Sequence, residues 1–368
     1  MRQRIRADLT LTPEGLRSCT VEHEDGRVLS IDDGPGERVS GLLLPGLINA
    51  HTHLELSWLR GRVPGGVGLE PWVLSLLSNM PPGDVAAVRA AAAAAVDEAI
   101  GFGTVAVGDI QGTTLATAAL VEAGMLGTVH REVIVLEPGP CEVGEIEELA
   151  PGLVSRPSPH APYSTWPGRI QAACGVAGPP AAIHLDEDPD ERLFLATGGG
   201  RWATHNDRMG REWRSFSAPG CSPVRYMEQL GVLGPELALV HMTCAEPEDL
   251  RLVAEAGSQV VLCPRSNLHI GGRLPDVPAM VEAGVTLALG TDSLASCPDL
   301  DLLAEVACLL EAFPGLELEG LLQAATAGGA TALGRADLGR IAPGCRPGLV
   351  LVDTPTAGSP RRWLHRPS

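Results

Sequence analysis

Lysine is absent from this 368-residue sequence, so all 27 basic residues are arginine. Without lysine, the chain cannot form a Schiff base, supply the lysine of a phosphate-binding loop, or bridge two metal ions through a carboxylated lysine. Aromatic residues are also scarce, at 3% of the sequence. The core therefore depends on leucine, valine, alanine and isoleucine.

Positive charge is in short supply, with a net charge of −18 and a pI near 4.9. Such a chain repels polyanions, which argues against nucleic acid or an anionic membrane as partner. No stretch is long and apolar enough to predict a membrane span, and the N-terminus lacks the apolar segment of a secretory signal. A small neutral or cationic substrate suits this composition better.

The nine cysteines are spread singly and include no Cys-x-x-Cys pair. This scatter is typical of reduced thiols and not of a disulfide framework or a structural zinc site. We therefore expect a cytoplasmic enzyme. Homo-oligomerisation is compatible with the sequence, which carries no signal that decides it.

The middle of the chain alternates short apolar runs with helical patterns. A first strand at Leu42–Ile48, interrupted by Pro45-Gly46, is followed by further predicted strands, with helices at 84–100, 113–124, 166–177, 246–257 and 299–312. Eight strands in this alternation predict a (β/α)8 TIM-like barrel over residues 44–335. The later strands are expected at 104–109, 128–135, 153–160, 181–185, 237–241, 259–263 and 286–291.

Both ends of the chain carry short β patterns with turn residues between them. Residues 1–43 and 336–368 are expected to pair into one small β-sandwich subdomain beside the barrel. A further segment, 186–221, is longer than a barrel loop needs. Its length is compatible with a lid, an insertion or a subunit contact.

Two histidines mark the end of the first barrel strand. Side chains alternate along a strand, so His51 and His53 point the same way and can reach one metal ion. Catalytic residues of such barrels lie at the C-terminal strand ends. The other strand ends bring further polar side chains to the same mouth, namely Asp109, His160, His184, His241, Arg265, Asn267 and Asp292.

Imidazole nitrogen and carboxylate oxygen are the ligands that zinc and related ions prefer, and a catalytic site leaves one position open. His51, His53, His184 and Asp292 supply this set, with His241 as a further ligand or a neighbouring base. The absence of lysine, and of acidic residues in the fourth strand, favours one metal ion over two.

Glu187 follows the strand that carries His184. A carboxylate there can accept a proton from a water molecule that the metal activates, and pass it on. The adjacent acidic residues Asp188, Asp190 and Glu191 are better explained as caps of the following helix.

Taken together, these motifs resemble the amidohydrolase superfamily, in its adenosine, cytosine and triazine deaminase or chlorohydrolase branch. The likeness spans about Leu44 to Gly334. Within the branch, the sequence is most similar to the aminodeoxyfutalosine deaminases of menaquinone biosynthesis, on the motifs His51-Thr-His-Leu-Glu55, Pro159-His-Ala-Pro-Tyr-Ser164, Pro219-Gly-Cys-Ser-Pro-Val224, Cys263-Pro-Arg-Ser-Asn267 and Gly290-Thr-Asp-Ser-Leu-Ala-Ser296.

The resemblance implies hydrolytic deamination of an adenine ring with one Zn²⁺ or Fe²⁺ held by the four ligands. It implies that Glu187 carries the proton, while His241 and Asp292 orient the attacking hydroxide. It also implies four contacts to the purine, the ribose or a carboxylated side group, from Glu55, His160, Arg265 and Asn267.

Two departures from the family pattern stand out. Relatives commonly have His-Leu-Ala-Glu-Ser where this chain has His184-Leu-Asp-Glu-Asp188, and residues 195–218 follow no familiar pattern.

The alternative functions within the same superfamily are those of a guanine or cytosine deaminase, a chlorohydrolase and a cyclic amide hydrolase. The non-catalytic alternative is a scaffold whose structural metal is closed by four protein ligands.

Overall fold

The computed structural model describes residues 2–80, 83–353, 358–359 and 361–367. The strands are β1 (Arg2–Thr12), β2 (Gly15–Arg17), β3 (Thr20–Glu24), β4 (Arg27–Asp32), β5 (Glu37–Pro45), β6 (Leu47–Thr52), β7 (Thr104–Gln111), β8 (Leu126–Val133), β9 (Glu147–Ala150), β10 (Leu153–Pro159), β11 (Ala181–Leu185), β12 (Leu237–His241), β13 (Gln259–Leu262), β14 (Thr286–Leu289), β15 (Leu349–Val352) and β16 (Arg361–His365).

The α-helices lie between these strands, and short 3-10 turns occur at Leu54–Leu59 and Trp213–Ser215. The helices are α1 (Leu69–Ser78), α2 (Val85–Gly101), α3 (Thr117–Glu122), α4 (Pro167–Cys174), α5 (Pro189–Thr197), α6 (Arg201–Arg208), α7 (Pro223–Gln229), α8 (Pro247–Ala256), α9 (Pro264–Gly271), α10 (Val277–Glu282), α11 (Leu302–Ala312), α12 (Leu318–Gln323) and α13 (Gly329–Ala332). None of the helices in the described ranges has the length and apolar composition needed to cross a membrane.

Both termini contribute to a single sheet. Its strands run in the order β16-β15-β5-β1-β3-β4, with β2 paired to β1. Strand β15, near the C-terminus, is antiparallel to β5, so that Leu349 lies opposite Pro45. The expected pairing of the two ends is therefore present. A sandwich of two layers, and the domain limits 1–43, 44–335 and 336–368, stay predictions.

The prediction of one interrupted strand at Leu42–Ile48 is wrong. Strand β5 ends at Pro45 in the terminal sheet, and β6 begins at Leu47 in a different sheet. Gly46 between them donates its N–H to the carbonyl of Pro347 at 3.1 Å. A Cβ at Gly46 would lie 2.8 Å from that oxygen, so only glycine allows the chain to pass from one sheet to the other here.

The remaining strands form two sheets, in the orders β6-β7-β8-β10-β9 and β11-β12-β13-β14. All neighbours are parallel except β9, which is antiparallel to β10. Single backbone contacts join the sheets at both sides: His184 N–H donates to His160 O at 2.9 Å, and Asp292 N–H to His51 O at 3.0 Å. The mouth of the site lies at the carboxyl ends of these strands.

Helix α2 illustrates how the flanking helices form. Asp84 caps its first turn by accepting a hydrogen bond from the Ala87 N–H at 3.0 Å. The residues that the helix buries recur at helical spacing, namely Val88, Ala92, Ala95, Val96 and Ala99. An alanine-rich face therefore lets the helix pack closely, and its observed start, at Val85, lies one residue from the predicted one.

The long segment 186–221 folds over the mouth of the site. It contains α5, α6 and the turn at Trp213–Ser215. Trp202 of α6 is buried and stacks on Tyr163, with ring centroids 3.8 Å apart. His205 of the same helix contacts Glu70 of α1, with Nδ1 and Oε1 3.4 Å apart. The segment therefore forms the outer wall of the cavity beneath it.

Candidate metal centre and active site

The ends of β6 and β14 meet at the centre of the site. His51, in β6, is fully buried, and its carbonyl accepts the Asp292 N–H from the residues that follow β14. The close approach requires Gly290, because a Cβ there would lie 2.7 Å from the His51 oxygen. The two strand ends therefore bring a histidine pair and a carboxylate together.

The four expected ligands form a compact cluster. His53 Nε2 lies 3.3 Å from His184 Nε2, and Asp292 Oδ1 lies 3.5 Å from His53 Nε2 and 3.7 Å from His51 Nε2. Ligands about 2.0–2.1 Å from a tetrahedral zinc ion are separated by about 3.3 Å. These separations therefore fit a single ion placed between the four side chains.

The protonation of the cluster also suits a cation. Burial lowers the pKa of His53 to about 4 and that of His51 well below its ordinary value, so both rings are neutral, as metal coordination requires. Both ring nitrogens of His51 are buried without a hydrogen-bond partner among the described residues. A buried orphaned imidazole is costly unless it coordinates an ion. The donor set therefore fits a metal ion.

Hydrogen bonds fix two of the expected ligands. The carbonyl of His160 accepts a hydrogen bond from His184 Nδ1 at 3.0 Å, which leaves Nε2 available to an ion. Asp292 Oδ2 accepts hydrogen bonds from Ser266 and Ser296, leaving Oδ1 on the side of the histidines. Burial raises the pKa of Asp292, but His53, His241 and Ser266 outweigh it and hold that pKa below its usual range.

Glu187 and His241 lie together beside this cluster. His241 Nε2 is 3.7 Å from Glu187 Oε1, and the Asn267 amide Nδ2 lies 3.0 Å from His241 Nδ1. With that amide nitrogen as donor, the neutral ring carries its proton on Nε2, the atom nearer Glu187. Burial, and then the charges of Asp292 and Glu191, raise the pKa of Glu187 well above its ordinary value. This carboxyl group accepts a proton readily.

The backbone at the mouth is unusual. The described chain has five non-glycine residues with positive φ, and four of them lie at these strand ends: Asp186, His241, Met242 and Asp292. Asp186, one of the departures from the family pattern, lies outside the cavity lining and accepts two hydrogen bonds from Arg192, at 2.6 Å each. Its charge is therefore held outside the site, and the turn that carries Glu187 is anchored.

A cavity of about 330 Å³ opens over the cluster. His53, His184, Glu187, His241 and Asp292 line its floor. Apolar and aromatic side chains make up most of the wall, including Trp72, Leu76, Leu77, Ile134, Tyr163 and Trp202. The site can therefore hold a small molecule with a polar reacting end and an apolar body.

Two of the four expected substrate contacts line this cavity. His160 does so with its Nδ1 2.6 Å from the Ser164 hydroxyl. Glu55 also lines the cavity, but its carboxylate accepts hydrogen bonds from the backbone N–H groups of Thr113 (3.0 Å) and Leu115 (2.9 Å) and from the Thr113 hydroxyl. Glu55 therefore holds a loop of the wall, and its contact with substrate stays a prediction.

The other two expected substrate contacts, Arg265 and Asn267, lie outside the cavity lining. Arg265 donates to Glu305 Oε1 at 2.6 Å and to Asp299 Oδ1 at 2.8 Å, and its remaining N–H groups reach backbone carbonyls. The structure thus commits this guanidinium to neighbouring helices instead of a substrate carboxylate. Asn267 holds the His241 ring, so in this structure it supports a site residue.

Sequence reasoning missed most residues of the cavity wall, including Glu132, Trp72, Trp202 and Arg211. Glu132 could have been predicted from the sequence, because it lies near the end of β8. No site residue was predicted at that strand end. Burial raises its pKa to about 8, and its Oε1 has no hydrogen-bond partner among the described residues. Trp72, Trp202 and Arg211 reach the cavity through packing between distant segments, for which the sequence carries no periodic signal.

Comparison with known proteins identifies the family. The profile of the amidohydrolase family matches residues 42–365 of the chain. This chain belongs to the amidohydrolase family. The resemblance carried by the motifs is confirmed, and the protein is a hydrolytic enzyme that acts on C–N bonds.

Sequence relatives of this amidohydrolase include named deaminases. An aminodeoxyfutalosine deaminase from Deinococcus radiodurans is 34% identical over 324 residues, which cover 81% of this chain and 75% of the relative. A 5-methylthioadenosine/S-adenosylhomocysteine deaminase from Syntrophobacter fumaroxidans is 30% identical over 388 residues, covering 94% of this chain and 82% of the relative.

Solved structures share the fold of this amidohydrolase. The aminofutalosine deaminase of Helicobacter pylori in complex with methylthio-coformycin superposes with a TM-score of 0.80 at 21% identity, covering 95% of this chain and 92% of that one. An adenosine deaminase from Xanthomonas campestris with bound zinc has a TM-score of 0.74 at 25% identity, covering 95% and 84%.

Proposed function

We propose that this amidohydrolase is a metal-dependent hydrolytic deaminase of an adenine nucleoside-like substrate, and that this substrate is aminodeoxyfutalosine. The observation that carries the proposal is the placement of Glu187 and His241 beside a compact cluster of histidine and aspartate atoms at the floor of one cavity. The two sequence relatives named above support an adenine nucleoside-like substrate.

The proposal includes a closed (β/α)8 barrel. Backbone hydrogen bonds at His160–His184 and at His51–Asp292 link the two parallel sheets on both sides. The side chain of Asn49 adds two bonds to Thr291 at the second junction, at 2.7 and 3.0 Å. A continuous ring of strand ends would hold the catalytic groups on a rigid support.

One Zn²⁺ or Fe²⁺ would be held by His51, His53, His184 and Asp292. When bound, such an ion supplies Lewis acidity that lowers the pKa of a water molecule to about 7. The zinc in the Xanthomonas campestris adenosine deaminase supports this choice. His241 would then be a neighbour of the ion instead of a ligand, because with the Asn267 amide nitrogen donating to its Nδ1 the ring keeps its proton on Nε2.

The side chains account for the proton movements of deamination. Glu187 accepts a proton from the attacking water and gives it to the adenine ring nitrogen next to the reacting carbon. His241 and Asp292 orient the water as its oxygen bonds to that carbon. The new hydroxyl on this carbon then gives its proton to Glu187, which passes it to the amino nitrogen; the carbon–nitrogen bond breaks, the carbon keeps a carbonyl oxygen, and the nitrogen leaves as ammonia.

The rest of the cavity would hold the nucleoside. His160, which lines the cavity, would contact the purine or ribose, and the aromatic wall would cover the apolar surface of the base. The Syntrophobacter fumaroxidans relative favours a second candidate within the same chemistry, the deamination of 5-methylthioadenosine or S-adenosylhomocysteine. On the first candidate the enzyme serves menaquinone biosynthesis, and the cytoplasm stays the predicted compartment.

Ammonia release from metal-replete protein tests the proposal. The panel contains aminodeoxyfutalosine, methylthioadenosine, S-adenosylhomocysteine, adenosine, guanine and cytosine. We expect selective turnover of aminodeoxyfutalosine, its loss on chelation and its return with Zn²⁺ or Fe²⁺. Selective turnover of methylthioadenosine would support the second candidate, and silence across the panel with metal bound would refute both.

A further inference from the structure

The cavity has an unbalanced set of charges. Four carboxylates line it, and within the described part of the chain a single arginine does so. That arginine is Arg211, and the carboxylates are Glu55, Glu132, Glu187 and Asp292. The acidic groups surround the reacting end, whereas Arg211 comes from the segment that forms the outer wall. A substrate therefore meets the guanidinium of the described lining at the outer wall.

Arg211 is half-buried and has no counter-ion in the described chain. Its Nη1 donates to the Asn206 side-chain oxygen at 2.8 Å, which uses one of the five N–H groups of the guanidinium. Burial lowers the pKa of Arg211, and Tyr163 and then Glu137 raise it in part; the Glu137 carboxylate accepts the Glu212 N–H and forms no ion pair with Arg211. The net effect is a lowered pKa, because burial dominates.

Neighbouring arginines are satisfied differently. Arg208 pairs with Glu70 at 3.4 Å and Arg214 with Asp207 at 2.8 Å, both with exposed side chains. Arg265, which the sequence suggested for a substrate carboxylate, is paired with Glu305 and Asp299. Arg211 is thus the guanidinium that faces the cavity with unused donors. A partly desolvated charge without a partner is costly, and a ligand of opposite charge removes the cost.

We propose that Arg211 binds a carboxylate carried on the apolar arm of the substrate and thereby selects acidic nucleosides over uncharged ones. The proposal rests on the proposed deaminase function. A planar guanidinium forms two parallel hydrogen bonds to a carboxylate. The fixed Asn206 contact leaves the other terminal nitrogen and Nε for this pair. The apolar side chains of the wall would hold the arm itself.

A matched pair of substrates tests the proposal, namely aminodeoxyfutalosine and its methyl ester, which differ in one charge. We expect the wild-type enzyme to favour the free acid by about 10- to 100-fold in kcat/KM, since hydrogen bonds between charged groups contribute about 1.5–3 kcal/mol. Arg211→Gln should abolish the preference by raising KM for the acid, and leave the ester within about threefold. Arg211→Lys should restore part of it.

Arg214→Gln is the control, because it removes an exposed arginine of the same segment and should change neither substrate. A preference for the acid that persists in Arg211→Gln overturns the proposal, as does equal turnover of acid and ester by the wild type. If neither substrate is turned over, the proposed function fails. Calorimetric binding of the same two probes to metal-loaded protein then decides the role of Arg211: preferential binding of the acid that Arg211→Gln removes supports it, and equal or absent binding refutes it.

Discussion

The floor and the outer wall of the cavity are built in different ways. The floor consists of side chains at strand ends, and hydrogen bonds fix three of them: a carbonyl fixes His184, Asn267 fixes His241, and two serines fix Asp292. The wall comes from α1, α6 and the loop after α6, which are joined by contacts such as Glu70–His205 and Tyr163–Trp202. The floor is suited to chemistry, and the wall to choosing the substrate.

Replacing the proton carrier should have the largest effect. Glu187→Gln keeps the shape of the side chain but removes its ability to accept a proton. We expect kcat to fall by about 10²–10⁴-fold while the metal content stays unchanged. Steady-state ammonia release, with metal analysis of the same sample, provides the measurement.

Asp190→Asn, three residues away in the first turn of α5, is the matched control and should keep wild-type kcat. An unchanged rate in Glu187→Gln would remove this residue from the mechanism. Proton transfer by Glu187 would then no longer distinguish the floor of the cavity from its wall.

Removing a support of the floor should have an intermediate effect. Asn267→Ala frees the His241 ring, and we expect kcat to fall by about 10–100-fold with KM nearly constant. A shift in the pH profile of kcat should accompany the loss, because the amide contributes to the His241 pKa. Asn79→Ala, at the exposed end of α1, is the control. A change confined to KM would place Asn267 with the wall instead.

Altering the wall should have the smallest effect on turnover, and this effect should appear in KM instead of kcat. Trp72 and Trp202 line the cavity, and the indole N–H of each has no partner among the described residues. Trp202→Phe keeps most of the ring but removes this donor, so we expect KM to rise about fivefold, corresponding to about 1 kcal/mol, with kcat unchanged. Trp58→Phe, outside the cavity lining, is the control. A fall in kcat with constant KM would contradict the assignment of chemistry to the floor and of substrate selection to the wall.

The floor was predictable because parallel strands impose their own geometry. Residues that directly follow an apolar run share one edge of the sheet, whatever their separation in the chain. That rule predicts from the sequence alone that His51, His53, His184, His241 and Asp292 lie together. The same rule would have found Glu132, had the end of β8 been read in the same way.

The wall escaped prediction for a physical reason. Its contacts join residues such as Glu70 and His205, which are 135 positions apart, through side chains that follow no common period. Arg265 shows the same limit. Guanidinium chemistry suggested a carboxylate partner, and Arg265 has carboxylate partners, but they are Glu305 of α11 and Asp299 of the preceding loop. Which acid an arginine meets depends on helix packing, and the sequence does not encode it locally.

The strained backbone at the strand ends also determines where this enzyme can be made more stable. A non-glycine residue with positive φ costs about 1–2 kcal/mol of folding free energy. Glycine would relieve the cost at His241 or Asp292, but would remove the imidazole or the carboxylate. The same exchange at Asp25, in a tight turn of the terminal sheet, removes no side chain of the site. Gains in heat resistance are therefore to be sought in the terminal sheet and the outer helices, while the mouth keeps its strain.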